Sequence, residues 1–186
     1  MALLAEIEAD ARACLACPLA ESRTNVVFSA GSSQAELMFV GEAPGHDEDL
    51  QGEPFVGRSG RLLDRLIGEE LGRDRSSCYI CNVIKCRPPG NRNPTPAEVA
   101  SCRHYLDAQV AAVRPRVIVT LGNFAARTVL GTDETVTKLR GRSYRYESTV
   151  VVPTFHPSYG LRGGATVVAE MRADLVRAKR FLASGT

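Results

Sequence analysis

The chain has 186 residues, 44% of them hydrophobic, which favours a single domain with a buried core. No run of about 18 apolar residues occurs, and the first residues lack the basic and long apolar regions of a signal peptide, so we expect a cytoplasmic protein without a membrane span. The formal net charge of +2 is too small to establish a nucleic-acid partner.

Hydrophobic periodicity divides the chain into alternating strands and helices. In chain order we predict a helix over 2–13, a strand over 36–41, a helix over 60–71, a strand over 78–84, a helix from 96 to about 113, a strand over 116–122, a helix over 123–131, a hairpin-like region over 138–152 and a closing helix over 166–182. This alternation predicts an α/β fold: a single domain spanning 1–186, with three α/β/α layers around a central, mainly parallel four-stranded sheet.

Polar or small residues follow the predicted strands. Gly41 and Glu42, Asn82, Gly122 and His156 each lie at or just beyond the carboxyl end of a strand. In open α/β sheets ligands bind at that edge. The sequence therefore predicts a site there.

The stretch 41–65, which begins at the end of the first predicted strand and runs into the next predicted helix, is rich in glycine and proline and resembles a phosphate-binding loop. It also carries five carboxylates, at Glu42, Asp47, Glu48, Asp49 and Glu53. A loop that only held phosphate would not accumulate this much negative charge. Its acidic residues therefore need another explanation.

Four of the six cysteines form a possible ligand set. Cys14 and Cys17 have the spacing of a metal-binding knuckle, and Cys86 and Cys102 lie near the second strand's end and on the following helix. Zinc, an iron–sulfur cluster and four unconnected thiols all stay open at this point. Cys78 and Cys81 lie within a strand and point to opposite faces, so we assign them to the core.

Basic residues cluster in two segments, which are more typical of solvated surface than of phosphate contacts. The clusters comprise Lys85, Arg87 and Arg92 in one loop and Lys138, Arg140, Arg142 and Arg145 in another segment.

Three motifs together identify a resemblance. GEAPGHDEDLQGEPFVGRSGRLLDRL (41–66), NVIKCRPPGNRNPTPAE (82–98) and PTFHPSYGLR (153–162) resemble the family 4 uracil-DNA glycosylases, the iron–sulfur members of their superfamily. The similarity covers nearly the whole chain, in order. It implies an enzyme of base excision repair that flips uracil out of DNA and hydrolyses its N-glycosidic bond, leaving an abasic site.

The resemblance assigns roles to the uracil pocket. Phe55 would stack on the flipped base, and Asn82 would pair with N3–H and O4 of uracil, a pattern that cytosine reverses. His156 would stabilise the negative charge that develops on the leaving uracil. Gly41 and Ala43 belong to the same substrate pocket.

Glu42 is the residue that we expect to position the attacking water, because Ala43 occupies the place where the commonest superfamily members carry an aspartate. Glu48 is the alternative, either as the water-positioning residue or as a wall that excludes the 5-methyl group of thymine. The remaining acidic residues of the loop we interpret as solvated or capping: Asp47, Asp49 and Glu53.

The resemblance also implies DNA contacts and a cofactor. Backbone contacts are expected from Arg58, Ser59, Ser158 and Arg162, with Leu161 as a wedge that enters the DNA. The four-thiolate set would hold a [4Fe-4S] cluster in a structural role. The partner would be uracil-containing DNA, single- or double-stranded. A monomer is expected, and the sequence offers no support for a sliding-clamp partner.

Two alternatives concern the same family. A relative that traps the sugar covalently has an inserted Arg-rich loop with a histidine, whereas this chain has PPGNRNPTPAE there, which favours hydrolysis. Broader specificity for deaminated bases such as hypoxanthine or xanthine stays open. From another class, a non-catalytic zinc-binding nucleic-acid module is the competing interpretation.

Overall fold

The computed structural model of the chain describes residues 2–183, with side chains from residue 4 onward. The helices of this part are α1 (Ala2–Ala13), α2 (Leu19–Ser22), α3 (His46–Gln51), α4 (Arg58–Leu66), α5 (Pro96–Val113), α6 (Gly122–Leu130), α7 (Val136–Leu139) and α8 (Pro157–Ala183). The strands are β1 (Ala30–Gly31), β2 (Leu37–Gly41), β3 (Tyr79–Asn82), β4 (Val117–Leu121), β5 (Tyr144–Tyr146) and β6 (Thr149–Thr154). No helix in this range is long and apolar enough to cross a membrane.

The sheet has the strand order β1-β3-β2-β4-β6-β5. The four inner strands are mutually parallel, which confirms the predicted parallel core. β1 and β5 add antiparallel edges, so the sheet has six strands rather than four. β5 and β6 form the hairpin that was predicted over 138–152, whereas β1 is only two residues long, too short to produce a periodic signal.

Side chains that alternate along the strands fill two separate cores. Met38 and Val40 pack with α1, α5 and α6 on one face, whereas Leu37 and Phe39 pack with α4 and α8 on the other. Because successive residues of a strand point to opposite faces, each inner strand contributes to both cores. This arrangement confirms the predicted α/β/α layers. Cys78 and Cys81 are fully buried, as predicted.

The helix that follows the loop near residue 95 begins as the sequence predicts. The Thr95 side chain accepts a hydrogen bond from the Glu98 backbone, Glu98 reaches back to the Thr95 N–H, and Pro96 occupies the first helical position. This reciprocal cap satisfies two backbone donors that a helix start would leave unpaired. Arg92 adds a two-pronged ion pair to the Glu98 carboxylate.

The last helix departs from its predicted start at 166. Helical structure already begins at Pro157, and a break at Gly164 (φ 69°, ψ −159°) separates a first short piece from the long piece that packs on the sheet. That backbone conformation is accessible to glycine and strained for other residues. PSYGLR (157–162) therefore lies in the first piece of this helix, and His156 directly precedes it.

Candidate active site

A cavity of about 1070 Å³ opens at the carboxyl edge of the parallel strands. Among its lining residues are Glu42, Phe55, Asn82, Gly122 and His156, which come from the ends of β2, β3, β4 and β6 and from the acidic loop. The strand ends that the sequence analysis singled out thus meet at one place. Further lining residues from the predicted set are Ala43, Glu48, Arg58, Ser59, Ser158 and Arg162.

Gly41, Phe55 and Asn82 form the inner wall. A Cβ atom on residue 41 would lie 2.3 Å from Asn82 Oδ1 and 2.5 Å from Phe55 Cζ, so only glycine permits this packing. Asn82 is 2% exposed, and its Oδ1 has no hydrogen-bond partner among the described residues. An unpaired buried acceptor is costly, and a ligand that donates to it would remove that cost.

The backbone at Phe55 is held in a left-handed conformation, with φ at 56°. Arg75 donates to the Phe55 carbonyl at 3.0 Å and forms ion pairs with Glu53 and Asp64, each at 3.2 Å. Gly60 allows the close approach, since a Cβ there would lie 1.7 Å from the Phe55 oxygen. Sequence reasoning missed Arg75, which holds the Phe55 backbone from 20 residues away.

The acidic residues of the loop have different environments. Glu42 is partly buried, and burial raises the pKa of its carboxyl group. The Glu48 carboxylate accepts from the backbone N–H groups of Gly45, Val56 and Gly57, at 3.0–3.1 Å. Glu48 therefore binds both ends of the loop together and lines the cavity.

Asp49 is 2% exposed and accepts hydrogen bonds from the backbone N–H groups of Thr24 and Asn25. The prediction that Asp49 is solvated is wrong. The prediction that it acts as a cap is confirmed, because its carboxylate caps the turn at 24–25. Residues 25 and 24 positions earlier supply the donors, so the loop sequence alone contains no sign of this contact.

His156 is partly buried, with its ring centroid 5.8 Å from that of Phe55. Its Nδ1 accepts from the Ser158 backbone N–H at 3.1 Å and lies 2.8 Å from the Ser158 hydroxyl. A backbone N–H can only donate, so Nδ1 is the acceptor and the proton of the neutral ring sits on Nε2. Burial, with a smaller contribution from Arg162, lowers the pKa of His156 to about 4.

The first piece of α8 presents exposed apolar side chains beside the cavity. Tyr159 and Leu161 are 45% and 44% exposed. Leu161 lies outside the cavity lining, whereas Ser158 and Arg162 belong to it. Arg58 and Ser59, in the first turn of α4, also line the cavity.

A second, smaller cavity is lined by Cys14, Cys17, Cys86 and Cys102. The Arg23 guanidinium donates to the Cys86 sulfur at 3.4 Å, and burial raises the pKa of Cys102 to about 11. Among residues 4–183, no group of three or more His, Cys, Asp or Glu side chains has the geometry to hold a single metal ion. The fold thus brings the four predicted thiols around one space without converging them on one point.

Residues 28–177 match the model of the uracil DNA glycosylase superfamily. A type-4 uracil-DNA glycosylase of Thermotoga maritima is 46% identical over 91% of this chain and 89% of its own length. This chain belongs to the type-4 uracil-DNA glycosylases. Two further type-4 enzymes, from Sulfurisphaera tokodaii and Archaeoglobus fulgidus, are each 43% identical over 85% of the chain, and over 76% and 83% of their own lengths.

Two basic residues that were predicted to be solvated, Lys85 and Arg140, are not on solvated surface. Lys85 is 1% exposed, and Arg140 forms ion pairs with Glu170 and with the buried Asp174. The placement of both residues on solvated basic segments is therefore wrong. For Lys85 the signal was present in the sequence, because it directly follows the apolar run that ends at Ile84.

Proposed function

We propose that this chain removes uracil from DNA by hydrolysing the bond between the base and deoxyribose, leaving an abasic site. The observation that carries the proposal is the unpaired, buried Oδ1 of Asn82 beside the Phe55 ring in a cavity that also contains His156. The type-4 enzymes that the chain resembles bear the name of this activity.

Recognition rests on Asn82 and Phe55. The Asn82 amide accepts from uracil N3–H through Oδ1 and donates to O4 through Nδ2, while cytosine offers the reverse pattern at this edge. Phe55 stacks on the flipped base and thereby offsets part of the few kcal/mol that flipping costs. Gly41 and Ala43 have small side chains, which leave room for the base beside the backbone of the pocket.

Bond cleavage rests on His156. As the bond from C1′ to N1 breaks, the electron pair stays with uracil, and negative charge develops on O2. The neutral imidazole donates its Nε2–H to that oxygen, so no proton transfer is needed to stabilise the charge. Ser158 holds the ring in the required tautomer through Nδ1.

Glu42 completes the hydrolysis. The carboxylate orients a water molecule toward C1′ of the oxocarbenium-like sugar and accepts one of its protons as the hydroxyl group bonds to carbon. We assign this role to Glu42 rather than to Glu48, because three backbone N–H groups already occupy the Glu48 oxygens. Glu48 supports catalysis by fixing the loop that carries Phe55.

DNA binding involves both rims of the cavity. Arg58 and Ser59 at the start of α4 and Ser158 and Arg162 at the start of α8 contact phosphates, where helix N-termini favour negative charge. The exposed side chain of Leu161 inserts where the base leaves the stack. We propose that the chain performs this reaction as a monomer on single- or double-stranded DNA.

We also propose that Cys14, Cys17, Cys86 and Cys102 hold a [4Fe-4S] cluster. Four thiols around one cavity suit a polynuclear cluster better than a single ion, for which the described residues offer no site. When bound, the cluster supplies a covalent tie between the segment after α1, the end of β3 and α5. The residues of the chain carry out the proposed reaction steps themselves.

The test uses anaerobically purified protein with a uracil-containing oligonucleotide, hot alkali to cleave abasic sites, and a matched thymine oligonucleotide. We expect cleavage only at uracil, together with visible absorbance from the cluster. His156→Ala and Glu42→Ala should each lower the rate about 10²–10³-fold. A colourless, zinc-bearing protein that leaves uracil DNA intact would contradict the proposal and favour the binding module.

A further inference from the structure

Lys85 is among the largest fully buried side chains of the protein, at 1% exposure. A buried ammonium is costly unless it is paired or fully hydrogen-bonded. Yet Lys85 forms no ion pair with any carboxylate of residues 4–183. Neither solvation at the surface nor a salt bridge therefore explains why this ammonium group is buried.

The ammonium has two acceptors. Lys85 Nζ donates to the backbone carbonyl of Asn82 at 2.5 Å and to Gln109 Oε1 at 2.6 Å. Gln109 is fully buried and donates to the Phe28 carbonyl at 3.0 Å and the Tyr79 hydroxyl at 3.1 Å. Lys85 thus fixes the backbone of the residue whose amide faces the uracil pocket.

The other side of Lys85 belongs to the cysteine cavity. Lys85 lines that cavity together with Cys102, and Cys86 follows it in sequence. Thiolates that bind iron carry negative charge, which would offset the buried ammonium in the absence of a carboxylate.

We propose that Lys85 is a positioning residue that couples the cysteine site to base recognition, by holding the Asn82 backbone while its own charge is offset by the thiolates. The inference rests on the proposed function. It assigns Lys85 no contact with the substrate: Lys85 acts through Asn82.

The test is a double-mutant cycle in the intact protein, with uracil excision measured under single-turnover conditions. Lys85→Met removes the ammonium and keeps most of the side-chain volume; we expect kcat/KM to fall about 10–100-fold, as is typical when a partner behind a functional residue is lost. Asn82→Ala should lower it about 10²–10³-fold or more. The double variant should match Asn82→Ala, because Lys85 has no further effect once the Asn82 amide is absent.

Controls separate positioning from general structural damage. Lys179→Met removes an exposed ammonium that donates to the Glu70 carbonyl, and we expect it to keep the parental rate. Lys85→Gln retains N–H donors and should recover part of the activity lost in Lys85→Met. If Lys85→Met does not fold, Gln109→Leu repeats the cycle, since Lys85 then loses the acceptor that orients it.

Three results would be decisive. Losses that multiply in the double variant would show an effect independent of Asn82 and overturn the inference, as would parental activity in folded Lys85→Met. A parent chain that is inactive on uracil DNA, although folded and iron-loaded, would instead overturn the proposed function on which the inference rests.

Discussion

Ser158 determines which nitrogen of His156 carries the proton, because its backbone N–H occupies Nδ1. Burial keeps the ring neutral near pH 7 by lowering its pKa to about 4. A neutral ring with its proton on Nε2 is a donor that needs no counter-charge in a partly buried site. The Ser158 contact thus defines the tautomer of His156, and the lowered pKa defines its charge.

This state predicts the pH dependence of excision. His156 is required neutral and Glu42 ionised, so activity should rise as pH increases through about 4 and through the raised pKa of Glu42. Neither group produces a fall at higher pH. We expect kcat/KM to show no decrease centred near the ordinary histidine pKa of about 6.5. A decrease there, measured by single-turnover kinetics, would show that the charged ring is the active form.

Gly41 permits a second prediction at the residue scale. Gly41→Ala places a methyl group 2.3 Å from Asn82 Oδ1 and 2.5 Å from the Phe55 ring, so one of these side chains must move. We expect excision to fall at least about 10²-fold, because misplacement of about 1 Å has effects of that size. Gly68→Ala is the matched control, since the nearest atom to its Cβ is 4.0 Å away. Equal activity of the two variants would disprove the packing argument.

At the scale of elements, the start of α5 connects stability with the rim of the active site. Arg92 lines the cavity and pairs with the buried Glu98, while Glu98 caps the helix through Thr95. The Arg92 hydrogen bonds lower the pKa of Glu98 to about 2. The Glu98 carboxylate therefore caps α5 and also holds Arg92 at the rim of the cavity.

The pKa of Glu98 predicts a specific acid sensitivity. Because the folded pKa lies below the ordinary value of 4.5, its ionisation stabilises the fold above pH 4.5, and this contribution is lost as pH falls toward 2. Glu98→Gln keeps the cap and should lower the free energy of unfolding by about 1 kcal/mol near neutral pH, since half-exposed Arg92 is screened. Urea unfolding of parent and variant should converge in acid. Glu134→Gln, at an exposed position, should show no such convergence.

Elements with strong local signals were predictable from the sequence. β2, β3 and β4 are continuous apolar runs, and α5 has its cap residues next to one another, so their types and approximate limits followed from periodicity and capping. β5 and β6 were predicted together as a hairpin-like region over 138–152, which their antiparallel pairing confirms, whereas β1 has no local signal and its pairing depends on β3.

The position of the site was predictable from the sequence, whereas the contacts that hold its residues in place were not. Parallel strand ends place Asn82 and His156 at one edge whatever the side-chain details are. The support for these residues comes from distant parts of the chain: Arg75 holds Phe55, and Gln109 holds Lys85. Contacts between residues far apart in sequence have no local pattern, so the sequence did not connect Arg75 with Phe55 or Gln109 with Lys85.

At the scale of the whole molecule, the proposed cluster would tie the segment after α1 to α5. We expect Cys102→Ser to lose iron and sulfide relative to the parent, to lower the melting temperature, and to expose residues 14–23 to limited proteolysis. Cys78→Ser is the matched control: this thiol is buried in the other core, outside the cavity, so its iron content should stay parental. Full iron content in Cys102→Ser would remove Cys102 from the ligand set.

The strand order also has a consequence for the time at which each part of the pocket exists during synthesis. Gly41, Phe55 and Asn82 lie in the first half of the chain, on β2, its following loop and β3, whereas His156 follows β6, beyond β4 in the sheet. Chains fold as they leave the ribosome, amino-terminal parts first. The growing polypeptide therefore acquires the residues that would hold a base well before it acquires the residue that would release one.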